Sequence, residues 1–298
     1  MIYGIIVKVL SGFYYVKTAD GIIECKARGR FRLDGTSPLV GDRVFCSIDS
    51  AGRGRIDKIE ERKNFFIRPA VANVDSLVFV AANTNPVTDP FLIDRVSVIA
   101  ENAGCELIIC INKTDINSGD ELYNIFTGAG FKVIRTSAET GEGIDELRAA
   151  IKGKICAFTG NSGVGKSSIM NKLLPGIELE TAEVSEKLGR GRHTTRHVEL
   201  FTLDENTFAA DTPGFASFDI EMMDTIQKED VQYNFIEFEP YLGKCRFNNC
   251  MHLKEPGCAV RAAVESGGIS QSRYKSYVKL YELASQRKFW ENKDSRSS

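Results

Sequence analysis

Residues 1–64 alternate apolar and polar positions with a period of two. The runs GIIVKVL, FYYVKTA, GIIECKA, GDRVFCSI and GRIDKIE are divided by Gly, Asp and Ser turns. Such alternation puts every second side chain on one face of an extended chain. Five short strands with no helix between them predict a small β-barrel.

From about 68 to 215 the rhythm changes. Unbroken apolar runs (DSLVFVAA, CELIICI, FKVIRTSA, KICAFTG) alternate with amphipathic stretches. Strands buried on both faces lose their polar alternation, so this pattern predicts a parallel sheet of βαβ units. One helix is expected to start after Asp89-Pro90 and to stop at Gly104, with others over 120–126 and 144–151. VELFTL and TFAAD flank Asp204-Glu205-Asn206 as a hairpin. Residues 175–197 carry many charges and glycines without periodicity and read as a mobile loop.

Residues 216–298 place a short Cys/His-rich patch between helical stretches. A final helix over about 270–290 sets Tyr274, Tyr277, Val278, Tyr281 and Ala284 at helical spacing, which reads as a core face. Lys275, Lys279, Arg287 and Lys288 on its remaining face read as solvated. Three domains follow, over 1–64, 65–220 and 221–298.

Composition changes this picture in three places. Of 298 residues, 43% are hydrophobic and 26% charged, which excludes a disordered chain. No apolar run approaches the roughly 20 residues of a membrane helix. The start, MIYGIIVKVL, has neither a basic n-region nor a small-residue cleavage site, so a cytoplasmic chain without membrane contact is expected. The net charge of -2 excludes a strongly basic nucleic-acid wrapper, yet residues 1–68 hold 13 Lys/Arg against 8 Asp/Glu, a local +5. A five-stranded barrel with that excess fits the oligonucleotide-binding (OB) type. Lys26, Arg28, Arg30 and Arg32 occupy every second position, so an extended backbone would project them from one side as an RNA-contacting strip. Cys25, Cys46, Cys105, Cys110 and Cys156 lie in apolar runs and read as core.

Gly160-Asn161-Ser162-Gly163-Val164-Gly165-Lys166-Ser167 fits GxxxxGKS between an apolar strand and the helical stretch SSIMNKLL, which includes Ser168. Glycines there let backbone N–H groups wrap phosphate oxygens, and the helix N-terminus adds partial positive charge. Lys166 would reach the β- and γ-phosphates, and the Ser167 hydroxyl would ligate magnesium. Asn112-Lys113-Thr114-Asp115 follows CELIICI at the carboxyl end of a strand, where such sheets bind ligands. The Asp115 carboxylate suits the N1–H and 2-amino donors of guanine, which adenine lacks, and this disfavours an ATP-dependent enzyme. Ser137-Ala138 ends the next strand with side chains small enough for the base to approach its backbone. Asp211-Thr212-Pro213-Gly214 fits DxxG: Asp211 would hold magnesium through water, and the Gly214 N–H would sense the γ-phosphate. Thr194 or Thr195 would supply the other magnesium ligand.

The order is the anomaly. Ras-like GTPases run P-loop, switch threonine, DxxG, NKxD, Ser-Ala; here NKxD and Ser-Ala precede the P-loop and DxxG comes last. A chain cut after the DxxG strand and rejoined elsewhere would build the same sheet. The position after the DxxG glycine, where Ras-like enzymes keep a water-orienting Gln, is Phe215. Isolated turnover is therefore expected to be slow. Arg190, Arg192 and Arg196 are possible phosphate or RNA contacts in the same loop as the switch threonines.

Near the end, Cys245, Cys250, His252 and Cys258 offer three thiolates and an imidazole, a closed tetrahedral zinc set with no open position for substrate. That disfavours a metalloenzyme. Barrel, permuted motifs and Cys/His segment together resemble the ribosome small subunit-dependent GTPase A family over nearly the whole chain. The resemblance implies an N-terminal OB-fold barrel, a central α/β circularly permuted P-loop GTPase and a C-terminal, mainly helical zinc-binding domain. It implies a GTPase that binds the small ribosomal subunit and its rRNA in late maturation, with hydrolysis stimulated by the subunit. It further implies magnesium with GTP, one structural zinc on that Cys-Cys-His-Cys set, and a functional histidine at His193 in the GxHTT stretch. A monomer is expected. The alternative is a GTP-gated RNA-binding switch with negligible turnover.

Overall fold

A computed structural model describes residues 1–29, 31, 36–67, 69–174, 198–211 and 226–286, with the backbone alone for Asp211. Strands β1 (Ile2–Leu10), β2 (Phe13–Thr18), β3 (Gly21–Ala27), β4 (Arg43–Ile48) and β5 (Gly54–Ile59) close into a barrel in the order β1-β2-β3-β5-β4. Their inward positions, Ile6, Val16, Cys25, Val44, Cys46 and Ile56, fill its core. This is the five-stranded barrel that the alternation predicts.

Only the first half of the basic strip falls within the described residues. Strand β3 ends at Ala27, and the Phe31 N–H donates to the Arg28 carbonyl at 3.2 Å, turning the chain and burying the Phe31 ring. On the outward face that Lys26 shares with Arg55, Arg28 meets the Asp57 carboxylate at 2.6 Å. Arg30 and Arg32 lie outside the described residues.

A short ribbon that the patterning does not announce, β6 (Phe65–Phe66) with β7 (Val71–Ala72), leads out of the barrel. It is pinned back by a bridge from Val71 to Val40. Next comes a six-stranded sheet in the order β10-β9-β8-β11-β13-β12, with β8 (Ser76–Ala82), β9 (Glu106–Asn112), β10 (Lys132–Arg135), β11 (Ile155–Thr159), β12 (Leu200–Thr202) and β13 (Phe208–Asp211). Its pairs are parallel except for the hairpin of β12 with β13. Every residue of β8 and β11 is buried, as the unbroken apolar runs require.

Helix α1 (Pro90–Asn102) begins where the Asp89 carboxylate accepts the Phe91 N–H at 2.9 Å, and it stops before Gly104, whose φ is +63°. Helix α2 (Asp120–Gly128) runs two residues past the expected end, whereas α3 (Ile144–Ile151) matches it. Helix α4 (Lys166–Leu173) follows β11. The hairpin turn is closed by Asp204, whose carboxylate accepts the N–H groups of Asn206 and Thr207 at 3.0 and 2.8 Å.

Two 3-10 turns (Val231–Asn234 and Ile236–Tyr241) precede α5 (Ala259–Glu265) and α6 (Gln271–Ser285). On α6, Tyr277, Leu280 and Ala284 are fully buried and Tyr274, Val278 and Tyr281 half-buried, so the aromatic face is core, as expected. Lys279 is more than solvated: its ammonium sits 3.7 Å over the Phe91 ring at the start of α1. Loop 175–197, Arg287 and Lys288 lie outside the described residues.

Candidate nucleotide site and metal centre

The strand β11 lies between β8 and β13, and its carboxyl end runs into the GxxxxGKS loop. The loop glycines are required by shape. Gly160 has φ +143° and Gly165 φ +93°, which L side chains rarely adopt. A Cβ on the first would collide with the Val80 carbonyl oxygen, and on the second with the Asn112 amide nitrogen. Within the loop Asn161, Ser162 and Gly163 run over the surface while Val164 is buried, and α4 then opens with Lys166, Ser167 and Ser168, all half-buried. Their N–H groups stand at the positive end of the helix.

Residues remote in sequence close on this loop. Buried Asn112, the last residue of β9, donates from Nδ2 to the Val164 carbonyl at 2.9 Å and accepts the Ala138 N–H on Oδ1 at 3.1 Å. Lys113, with φ +65°, sends its ammonium to the carbonyls of Gly163 (2.8 Å) and Asn85 (2.7 Å). Asp115 stays exposed and accepts the Ser137 hydroxyl at 2.6 Å, while Ser137 Oγ accepts the Thr140 N–H at 3.1 Å. One amide thus joins the NKxD strand, the Ser-Ala turn and the phosphate loop. The Asp115 carboxylate is left facing solvent beside this buried frame. Asp211 ends β13 in register with Phe158 of β11, so DxxG begins at the same end of the sheet. His193, Thr194, Thr195, Gly214 and Phe215, with Arg190, Arg192 and Arg196, lie outside the described residues.

The second cluster is built on a loop. The ligand atoms of Cys245, Cys250, His252 and Cys258 lie within 4.8 Å of one another. Bonds of about 2.3 Å to sulfur and 2.0 Å to nitrogen in a tetrahedron separate two sulfurs by about 3.8 Å, and sulfur from nitrogen by about 3.5 Å. Cys245 Sγ is 3.9 Å from Cys258 Sγ, and His252 Nδ1 is 3.5 and 3.3 Å from those two sulfurs. The donor set and its spacing fit one tetrahedral metal ion. Burial pushes the His252 imidazole below its ordinary value, favouring the neutral form that ligates. Burial also pushes the Cys250 thiol up to about 12, so loading the site displaces protons.

His252 Nε2 meets the Gln232 side-chain oxygen at 2.9 Å, which fixes the ring and leaves Nδ1 for the metal. The backbone N–H groups of His252, Ala259 and Arg261 donate to the sulfurs of Cys250, Cys245 and Cys258 at 3.4, 3.3 and 3.4 Å. Tyr274 and Tyr277 on α6 donate to the carbonyls of His252 and Met251 at 2.7 and 2.6 Å, so the aromatic face of that helix carries the metal loop. Sequence reasoning does not reach Gln232, Asn85 or the fully buried Arg273, because nothing near them in the chain marks their partners.

The NKxD, Ser-Ala and P-loop motifs, read in shuffled order yet assembled at one end of a mainly parallel sheet, define a circularly permuted P-loop GTPase. The RsgA GTPase family model matches residues 59–221, and the RsgA N-terminal domain model matches residues 3–56. A small ribosomal subunit biogenesis GTPase RsgA from Caldanaerobacter subterraneus subsp. tengcongensis is 47% identical over 282 residues, 94% of each chain. The crystal structure of YjeQ from Thermotoga maritima has a TM-score of 0.83 and 37% identity, covering 96% of this chain and 99% of that one. YloQ, described as a circularly permuted GTPase, has a TM-score of 0.80 and 33% identity, covering 97% of this chain and 96% of that one. The chain belongs to the RsgA GTPase family.

Proposed function

We propose that this chain hydrolyses GTP to GDP and phosphate while bound to the small ribosomal subunit, late in the maturation of that particle, and that the subunit stimulates hydrolysis. The observation that carries the reading is the pair of bonds from Asn112 to Val164 and Ala138, which supports one guanine nucleotide pocket made from three separated motifs. The printed function of the relatives supplies the partner.

In this reading Asp115 takes the guanine N1–H and 2-amino donors, and Ser137 and Ala138 border the base. Residues 160–168 wrap the phosphates with Lys166 at the β- and γ-oxygens. Ser167, Asp211 and one of Thr194 and Thr195 hold magnesium, and Gly214 reports the γ-phosphate. Magnesium bound with GTP neutralises charge that develops on the phosphate oxygens. Asn112 and Lys113 brace the loop through the Val164 and Gly163 carbonyls. His193 is the residue assigned to the hydrolytic water, since Phe215 has no group to orient it.

Zinc is the metal assigned to Cys245, Cys250, His252 and Cys258, where it supplies cross-links to a segment with little core of its own. The barrel, through Lys26 and Arg28 together with Arg30 and Arg32, contacts rRNA. The domain division is 1–64, 65–220 and 221–298, and the working form is a cytoplasmic monomer. Among the described residues no helix is long and apolar enough to cross a membrane. Phe215 also favours the second reading, a GTP-gated RNA-binding switch with negligible turnover.

Sedimentation of the protein with small subunits, large subunits and whole ribosomes, under a GTP analogue and under GDP, tests the partner. GTPase rates with and without small subunits separate the two readings. Co-sedimentation with small subunits under the analogue, and a rate raised by them, is expected. Absence of small-subunit binding would overturn the proposal.

A further inference from the structure

Strand β1 outruns its pairing with β4. It pairs with β4 only over residues 2–5. Beyond them a bulge on β1 sets Ile6 opposite Val16 and Lys8 opposite Tyr15 of β2, leaving Val7 as the extra residue. A bulge re-aims the side chains that follow it. Ile6 enters the barrel core, while Val7 enters the larger core that holds Leu200, Phe208 and Ala210 of the β12–β13 hairpin.

The edge of β1 then reaches that hairpin directly. Lys8 forms an antiparallel bridge with Glu199, and its ammonium lies 2.8 Å from the Glu199 carboxylate. Lys17 of β2 holds its ammonium 5.3 Å over the Phe208 ring. The hairpin is therefore gripped from outside the GTPase sheet by a different domain.

Its place in the chain gives the grip a consequence. Glu199 follows Thr194 and Thr195 by a few residues, and β13 ends on Asp211, where DxxG begins. A shift of the hairpin against β11 moves the strand that ends on Asp211.

We infer that Lys8 is a positioning residue for GTP hydrolysis, acting through Glu199 to fix the β12–β13 hairpin against the P-loop strand. The inference rests on the GTPase reading above. The barrel is then part of the hydrolytic machinery as well as a surface for RNA, and an occupant of the barrel has a direct route to the turnover step.

The test measures single-turnover GTP hydrolysis and fluorescent GTP-analogue binding on the full-length chain. An ion pair at this exposure is worth about a two- to fivefold change, so Lys8→Ala and Glu199→Ala should each slow hydrolysis by that factor with analogue affinity unchanged. Lys8→Arg, and the reversed pair Lys8→Glu with Glu199→Lys, should return the rate to within about twofold of the parent. Arg53→Ala, which removes a barrel ion pair with Asp49 that does not touch the hairpin, should leave the rate unchanged. Single variants at the parent rate, a reversed pair no faster than the singles, or affinity falling in step with rate would each overturn the inference. Failure of the parent chain to bind the analogue would instead sink the GTPase reading.

Discussion

Removing the Arg273 side chain should loosen the C-terminal helices from the nucleotide-binding sheet. The guanidinium has no exposed surface, and its Nε and one terminal nitrogen donate to both Glu237 oxygens at 2.6 and 2.8 Å. Its other terminal nitrogen donates to Asp94 Oδ1 at 2.8 Å and to Ser97 Oγ at 2.9 Å, both on α1. Arg273→Ala strands two carboxylates whose side chains are 0% and 6% exposed. Breaking a buried ion pair from one side costs about 3–5 kcal/mol. For a folding unit of about 150–250 residues that lowers Tm by about 6–20 °C.

The pH dependence carries its own sign. Burial raises the Asp94 carboxyl above its ordinary value, and Arg273 opposes that rise. Deleting Arg273 removes the opposition, so the folded-state value climbs further. A carboxyl raised on folding favours the folded state at low pH and loses that contribution as pH rises through the folded value. The gap in Tm between parent and Arg273→Ala should therefore be widest near about pH 8 and narrow toward about pH 5. Thermal melts followed by circular dichroism across that range measure it. Adding Asp94→Asn and Glu237→Gln to the variant should recover more than half of the loss, because most of the cost is unpaired charge. A Tm within about 2 °C of the parent at neutral pH, or a gap that widens on acidification, would refute the reasoning.

Two further expectations concern the sites. Gln232→Ala leaves the four ligands in place but frees the His252 ring, and should weaken metal affinity about 10- to 100-fold by competition with a chromophoric chelator; metal analysis should find one zinc per parent chain. Asn112→Ala removes the tie between P-loop and Ser-Ala turn and leaves the buried Val164 carbonyl without its donor, a loss of about 2–4 kcal/mol; GTP affinity by titration calorimetry should fall at least tenfold while the metal content is unchanged.

Much of the fold was legible because local chemistry declares it. Asp89-Pro90 and Gly104 bound α1, the unbroken apolar runs became doubly buried strands, and the phosphate loop and NKxD met at the sheet end where strand topology sends ligands. What stayed hidden depends on partners far away in the chain. Arg273 reads as an ordinary polar residue near a helix start, and its partners Asp94 and Glu237 lie 179 and 36 positions off. The Val7 bulge leaves no mark in an apolar strand. The turn that buries Phe31 is likewise set by packing against the barrel core.

The central claim is that Asp115, carried on a strand that precedes the P-loop, reads the base of the nucleotide that Lys166 holds. Asp115→Asn exchanges an acceptor pair for one donor and one acceptor, which suits xanthine, with a carbonyl at C2, and not guanine, with an amino group there. Equilibrium binding of GTP and XTP to parent and variant measures this directly. Two hydrogen bonds to a charged group are worth about 3–6 kcal/mol together, so GTP affinity should drop about 10²- to 10⁴-fold as XTP becomes the preferred ligand. A variant that still prefers GTP to XTP would contradict the account.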